Sequence, residues 1–152
     1  MLPPIAIAEP LRARIYAHAR RCFPAECCGY LTGASGVEAL VECRNAHADG
    51  VHPTTPERGE ESAFVIAGRE LITFARSFDT SSPARVLYHS HTNGRAYFSA
   101  VDREVATVDG APTYPVQHLV IGLDDTHVIE AAQFAWDPDA HDWIEVARWQ
   151  AS

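Results

Sequence analysis

Two histidines one residue apart, His89 and His91, are followed by seven residues and then by Ser99 and Asp102. Two imidazoles and a carboxylate are donor types that suit a catalytic zinc ion whose fourth position stays open. Residues 85–91, Arg-Val-Leu-Tyr-His-Ser-His, read as the end of a buried strand. In a strand, residues i and i+2 point to one face, so both imidazoles can converge on one ion. Ser99-Ala-Val-Asp102 has the form of a helix start, with Ser99 as N-cap and Asp102 three residues on. A strand end and a helix start brought together would make a preformed, half-open metal site.

The chemistry of such a centre is hydrolysis. Zinc with three protein ligands keeps one water, whose pKa falls from ~15.7 to near ~7. A base on another element must take that proton and return it to the leaving group. Glu26, just before Cys27-Cys28-Gly29-Tyr30, opens the first predicted strand and is the candidate. An oxyanion donor is needed as well. The Ser99 hydroxyl could serve, and such donors are typically worth ~2.7–4 kcal/mol of barrier.

The elements around these residues follow from periodicity. Residues 9–22 predict an amphipathic helix: Pro10 fits its first turn, and Leu11, Ile15, Ala19 and Cys22 share one face, with Tyr16 beside it. Phe23-Pro24 ends it. Cys28–Gly33 and Val37–Arg44 predict a hairpin across the turn at Ala34-Ser-Gly36. Residues 45–61 are polar and rich in Pro and Gly, the mark of a long loop. A short strand is expected at 62–66. A helix is expected over 68–78, with Leu71, Ile72, Phe74, Ala75 and Phe78 as its apolar face. After the histidine strand come a loop at 92–98, a helix over about 99–108, strands at 116–123 and 127–136 joined by Asp124-Asp125, and an alternating last strand at 143–149. The sum is an α/β (α+β) domain with a mixed, mostly antiparallel sheet and about three helices.

Bulk properties narrow the function classes. The chain has 152 residues, 47% hydrophobic and 21% charged, an ordinary globular composition for one domain. Its net charge of -8 argues against nucleic acid, which calls for a basic footprint. Cys22, Cys27, Cys28 and Cys43 form no Cys-x-x-Cys pair and are expected as reduced, mostly buried thiols. Residues 1–10 have no basic start and only a short apolar run, so neither a signal peptide nor a membrane span is expected, and the expected compartment is the cytoplasm.

His89-Ser-His91, seven residues, and Ser99-Ala-Val-Asp102, preceded by Glu26 in a Pro-x-Glu-x-Cys-Gly-x-Leu-x-Gly context, resemble the JAMM (MPN-plus, Mov34/JAB) family of zinc metallopeptidases. The similarity spans most of the chain and fits the compact prokaryotic members best. It implies the family's cytidine-deaminase-like MPN fold, with residues 1–152 as a single metallopeptidase domain. It implies one Zn2+ per chain on His89, His91 and Asp102, water activation by Glu26, and a tetrahedral intermediate steadied by Ser99. It implies a deubiquitinase-like activity: cleavage of a peptide or isopeptide bond after the Gly-Gly tail of a ubiquitin-like or sulfur-carrier protein. One departure is visible: Thr92 follows the second histidine, where the family commonly has Pro. The change bears on loop geometry and substrate fit, which makes Thr92, Asn93 and Gly94 the candidate substrate-binding loop. An extended tail could add as a strand beside the loop at 92–98 or beside the segment near 54–66.

Competing readings attach to each residue. His89 and His91 could be paired core histidines with no metal, and Asp102 could serve only the first helical turn. Ser99 could be a plain N-cap, a role compatible with oxyanion binding, and Glu26 could be a surface residue. His18, His47, His52, His118, His127 and His141 lack ligand spacing and read as structural or exposed. Cys27 and Cys28 read as packing thiols, and Trp136, Trp143 and Trp149 as core and edge packing. At the level of the protein, the alternatives are a non-catalytic MPN scaffold and a zinc deaminase. The latter would need His-x-Glu and Pro-Cys-x-x-Cys, and the chain has neither.

Overall fold

The structure, a computed structural model, describes residues 2–45 and 66–151. His47, His52, residues 46–61 of the polar stretch and residues 62–65 of the strand expected at 62–66 lie outside the described residues, and Ile66 is described but is not part of a strand.

Helix α1 spans Glu9–Cys22, with Pro in its first turn, and buries Ile15, His18 and Ala19, much as its 3.6-residue period predicts. Strands β1 (Cys28–Thr32) and β2 (Ala39–Cys43) form the expected antiparallel hairpin, Cys28 opposite Cys43. β2 starts two residues later than expected, because the turn runs on to Glu38, whose N–H donates to the Thr32 carbonyl at 2.8 Å. Helix α2 spans Gly68–Ser77. Only Phe74 of its predicted apolar face is buried, wedged edge-on among Tyr30, Phe78 and Tyr114. Leu71 and Ile72, 36% and 53% exposed, point away from that cluster.

Strand β3 (Ala84–His91) runs up the middle of the sheet, and α3 (Ala100–Ala106) follows it. The last helix ends two residues earlier than expected, and Ser99 is its cap rather than its first residue. Thr107–Val108 (β4) and Ala111–Pro112 (β5) instead form a two-stranded hairpin. Asp109 and Gly110 between them take φ of 51° and 76°, the paired positive values of the tight hairpin turn that Asp-Gly favours. β-branched Thr107 and Val108 suit extended backbone better than a helix end.

Strands β6 (Gln117–Leu123), β7 (Val128–Asp137) and β8 (Asp142–Gln150) complete a six-stranded sheet in the order β2-β1-β3-β6-β7-β8. Every neighbouring pair is antiparallel except β3–β6, which is parallel, His89 lying beside Val120 and His91 beside Gly122. Parallel neighbours need a crossover from the end of one strand to the start of the next. Here the crossover is loop 92–98, α3 and the β4–β5 hairpin, so α3 has to begin near the C-terminal end of β3.

The two sheet faces carry different cores. Val86, Tyr88, Leu119 and Ile121 pack under α1 with Cys27 and Leu31. On the opposite face, Cys28, Tyr30 and Leu87 meet Phe74, while Phe98, Val120, Phe134 and Trp143 pack with Ala106 of α3. Each large side chain taken fully out of water contributes ~1.5–3 kcal/mol. Adjacent Cys27 and Cys28 fall into different cores, as period two demands, and all four cysteines are free thiols. No helix among the described residues is long and apolar enough to cross a membrane.

Candidate metal centre

His89 and His91 sit on the same face at the top of β3 and are 1% and 6% exposed. Their Nε2 atoms lie 3.2 Å apart. Asp102, in the first turn of α3, closes the triangle: Oδ1 lies 3.2 Å from His89 Nε2 and Oδ2 3.1 Å from His91 Nε2. One donor atom from each of the three residues falls within 4.8 Å of the others, a group that could hold a metal ion. The donor chemistry fits a cation. Two imidazole nitrogens that both turn lone pairs inward repel, and a positive ion between them and the carboxylate would satisfy all three donors at once. Burial lowers the His91 pKa, which opposes the alternative of a proton there, although the Asp102 carboxylate and the Arg95 carbonyl pull the other way. Burial alone would raise the Asp102 carboxyl. The His89 charge and hydrogen bonds with both imidazoles outweigh it and hold the carboxyl well below its ordinary range.

Ser99 is the N-cap of α3, as expected. Its Oγ accepts the Asp102 N–H at 3.0 Å, and its own N–H donates to Asp102 Oδ2 at 2.9 Å, a complete capping box. Asp102 therefore faces both imidazoles and caps its helix with the same carboxylate.

Loop 92–98 brings this helix start back onto the sheet. The Gly94 N–H donates to the Leu123 carbonyl, the Ala96 N–H to Glu130, and Arg148 donates to the Ala96 carbonyl. Gly122, beside His91 in β6, has no Cβ, and one built there would sit 2.5–2.8 Å from the Arg95 backbone. Of the candidate substrate loop, Gly94 is buried at φ 82°, while Asn93 is exposed and holds Tyr97 by a 3.2 Å bond from its Nδ2 to the phenol oxygen.

Glu26 lies two residues before β1. It is 4% exposed, so it is a buried carboxylate rather than a surface residue. Cys28 pairs with His89, and the Ser90 N–H donates to the Cys27 carbonyl at 3.1 Å. One further step in this register sets Glu26 level with His91. Ser90 Oγ accepts the Cys27 N–H at 2.7 Å, and Asn45 Nδ2 donates to the Glu26 carbonyl at 2.9 Å. The structure thus brings His89, His91, Asp102 and Ser99 into direct contact and holds the Glu26 backbone alongside.

Several neighbours were not singled out from sequence. Tyr97, 43% exposed, leans its ring over His91 with centroids 4.6 Å apart. His118 is buried on the ligand face of β6 between Phe98 and Trp143. Burial pushes its imidazole down to about 3, and the His89 charge adds to the shift. Of the other histidines, His18 is buried against the Tyr88 hydroxyl at 2.7 Å, and His127 and His141 are exposed. Ser90 alone carried a readable signal, since the residue between two ligands on a strand must face the opposite side.

Known proteins resemble this chain in sequence or in fold. CysO-cysteine peptidases of Mycobacterium tuberculosis and Mycobacterium bovis are each 29% identical over 123 residues, 81% of this chain and 76% of theirs. The solution structure of a protein from Desulfitobacterium hafniense superposes with a TM-score of 0.61 at 22% identity, covering 91% of this chain and 86% of that one. A protein from Salinibacter ruber does so with a TM-score of 0.57, also at 22% identity, over 91% of this chain and 86% of its own. Residues 8–139 match the family described as prokaryotic homologues of the JAB domain, and the chain belongs to that family.

Proposed function

We propose that the chain is a single-domain, zinc-dependent hydrolase that cleaves a peptide or isopeptide bond after the Gly-Gly tail of a ubiquitin-like or sulfur-carrier protein in the cytoplasm. The observation that carries this reading is the convergence of His89, His91 and Asp102 within 4.8 Å at a strand end, with Glu26 buried alongside. A peptidase named for the CysO-cysteine bond at 29% identity supports the substrate class.

His89, His91 and Asp102 would hold the ion. Zinc bound there would supply a Lewis acid for the scissile carbonyl and for water. Glu26 takes the proton of the attacking water and returns it to the leaving amine, a transfer typically worth ~10²–10⁴-fold. Ser99 Oγ already accepts the Asp102 N–H, so its hydroxyl proton remains for the oxyanion. Thr92 and Asn93 flank the centre at the start of the crossover and would border the extended tail, whose glycines admit close backbone approach.

The test pairs metal analysis with cleavage of a ubiquitin-fold carrier whose Gly-Gly tail is joined to cysteine or to a peptide. Purified protein should hold one zinc per chain. Glu26→Gln should keep that zinc and lose cleavage by ~10²-fold or more. Metal-free protein that still cleaves would sink the proposal. A wild type that binds zinc and carrier but cleaves nothing would favour a scaffold.

A further inference from the structure

We propose that Ser90, the residue between the two histidines, is a positioning residue that sets the distance of Glu26 from the metal centre, with Asn45 as its counterpart. This rests on the hydrolase reading above, in which Glu26 is the base.

In a regular antiparallel ladder the Cys27 N–H would donate to a backbone carbonyl of β3. It donates instead to Ser90 Oγ at 2.7 Å, while the Ser90 N–H returns a bond to the Cys27 carbonyl at 3.1 Å. A side chain has taken over one rung, which is why regular β1 pairing begins only at Cys28. On the other side of the same peptide unit, Asn45 Nδ2 donates to the Glu26 carbonyl at 2.9 Å. The carbonyl of Glu26 and both polar groups of Cys27 are therefore gripped.

The grip is buried. Ser90 is 0% exposed, Asn45 7% and Cys27 0%. Hydrogen bonds there compete with no water, and losing one partner strands the other. Period two makes the arrangement economical. His89 and His91 point to one face of β3 and Ser90 to the other, so one tripeptide supplies two ligand imidazoles and the anchor for the base-bearing segment. Distance errors between base and metal centre are then confined to a single strand crossing. A misplacement of about 1 Å at a reacting group can cost ~10²-fold in rate.

The test uses the full chain, zinc-loaded for kinetics with the carrier probe above, and metal-free for amide exchange. In Ser90→Ala, zinc stoichiometry and KM should stay as in wild type, and kcat should fall ~10- to 100-fold. In the metal-free protein the Cys27 amide should exchange about five- to tenfold faster, the loss of one hydrogen bond. Ser90→Thr keeps the acceptor oxygen and should recover most of kcat. Asn45→Leu removes the donor at similar size without adding charge and should lower kcat in the same way. If Ser90→Ala fails to fold, the Asn45→Leu result decides: unchanged kcat overturns the proposal. A folded Ser90→Ala with full kcat overturns it, as does a loss that follows zinc content or KM. An inactive zinc-loaded wild type overturns the hydrolase reading at the outset; an active wild type beside a fully active Ser90→Ala overturns the positioning role alone.

Discussion

Asp102 joins the centre to its own helix: it meets two imidazoles, and through its second oxygen the N–H that opens that helix. Ser99 is the cap of α3 and, in the proposed mechanism, also an oxyanion donor, and the two roles separate by experiment. Ser99→Ala removes the cap and should cost the metal-free protein ~1 kcal/mol, read from urea unfolding. The same change should leave zinc stoichiometry intact and lower kcat by ~10²-fold, the scale of a lost oxyanion donor. Equal kcat in Ser99→Ala and wild type would leave Ser99 as a cap only. These residues were legible in the sequence because donor type, strand period and capping pattern are all local. His118 and Tyr97 were not. Strand pairing sets His118 on the ligand face and a loop return lays Tyr97 over His91, and no spacing in the chain records either. Glu26 was legible as a residue, but its burial was not, since that depends on β3 alongside it.

Among the elements, the crossover holds the centre together, and Gly122 is the point where it meets the sheet. A Cβ there would press on the Arg95 backbone, which cannot swing aside as a side chain could. Gly122→Ala should therefore lift loop 92–98, cost about 1–3 kcal/mol in chemical denaturation, and weaken zinc binding because α3 moves with the loop. Unchanged zinc affinity in a destabilised Gly122→Ala would show that α3 is placed independently of the loop. Most elements were readable from period and punctuation: α1, the first hairpin, β3 and the three final strands. The β4–β5 hairpin was missed, although Asp109-Gly110 is a strong turn signal, because its strands are only two residues long and give no alternation to read. The outward Leu71 and Ile72 show the opposite failure, an apolar pattern wider than the surface it covers. Strand direction was also invisible. Alternation predicts strands but does not say that β6 runs parallel to β3.

At the scale of the whole molecule, burial of titratable groups on the ligand face ties stability to acidity. His118 is held down to about 3 by burial, whereas an unfolded histidine titrates near ~6.5. Between those values the unfolded chain binds the extra proton, so stability is complete above about pH 6.5 and falls as pH drops towards 3. His91, also lowered by burial, acts with the same sign. The metal-free protein should lose stability from pH 7 to 4, and His118→Phe should flatten that slope by up to ~1.4 kcal/mol per pH unit. Parallel slopes in the two proteins would mean that His118 meets the acid already charged.

The crossover has a temporal consequence as well. β1 and β2 can zip locally, but β3 finds β6 only after residues 92–116 have folded back, a closure with an entropic cost that local pairing escapes. A cation arriving before that closure meets two imidazoles on a lone strand. The carboxylate comes only with α3. Metal capture would then follow the finished topology and act on it as a latch, slowing its opening rather than guiding its assembly.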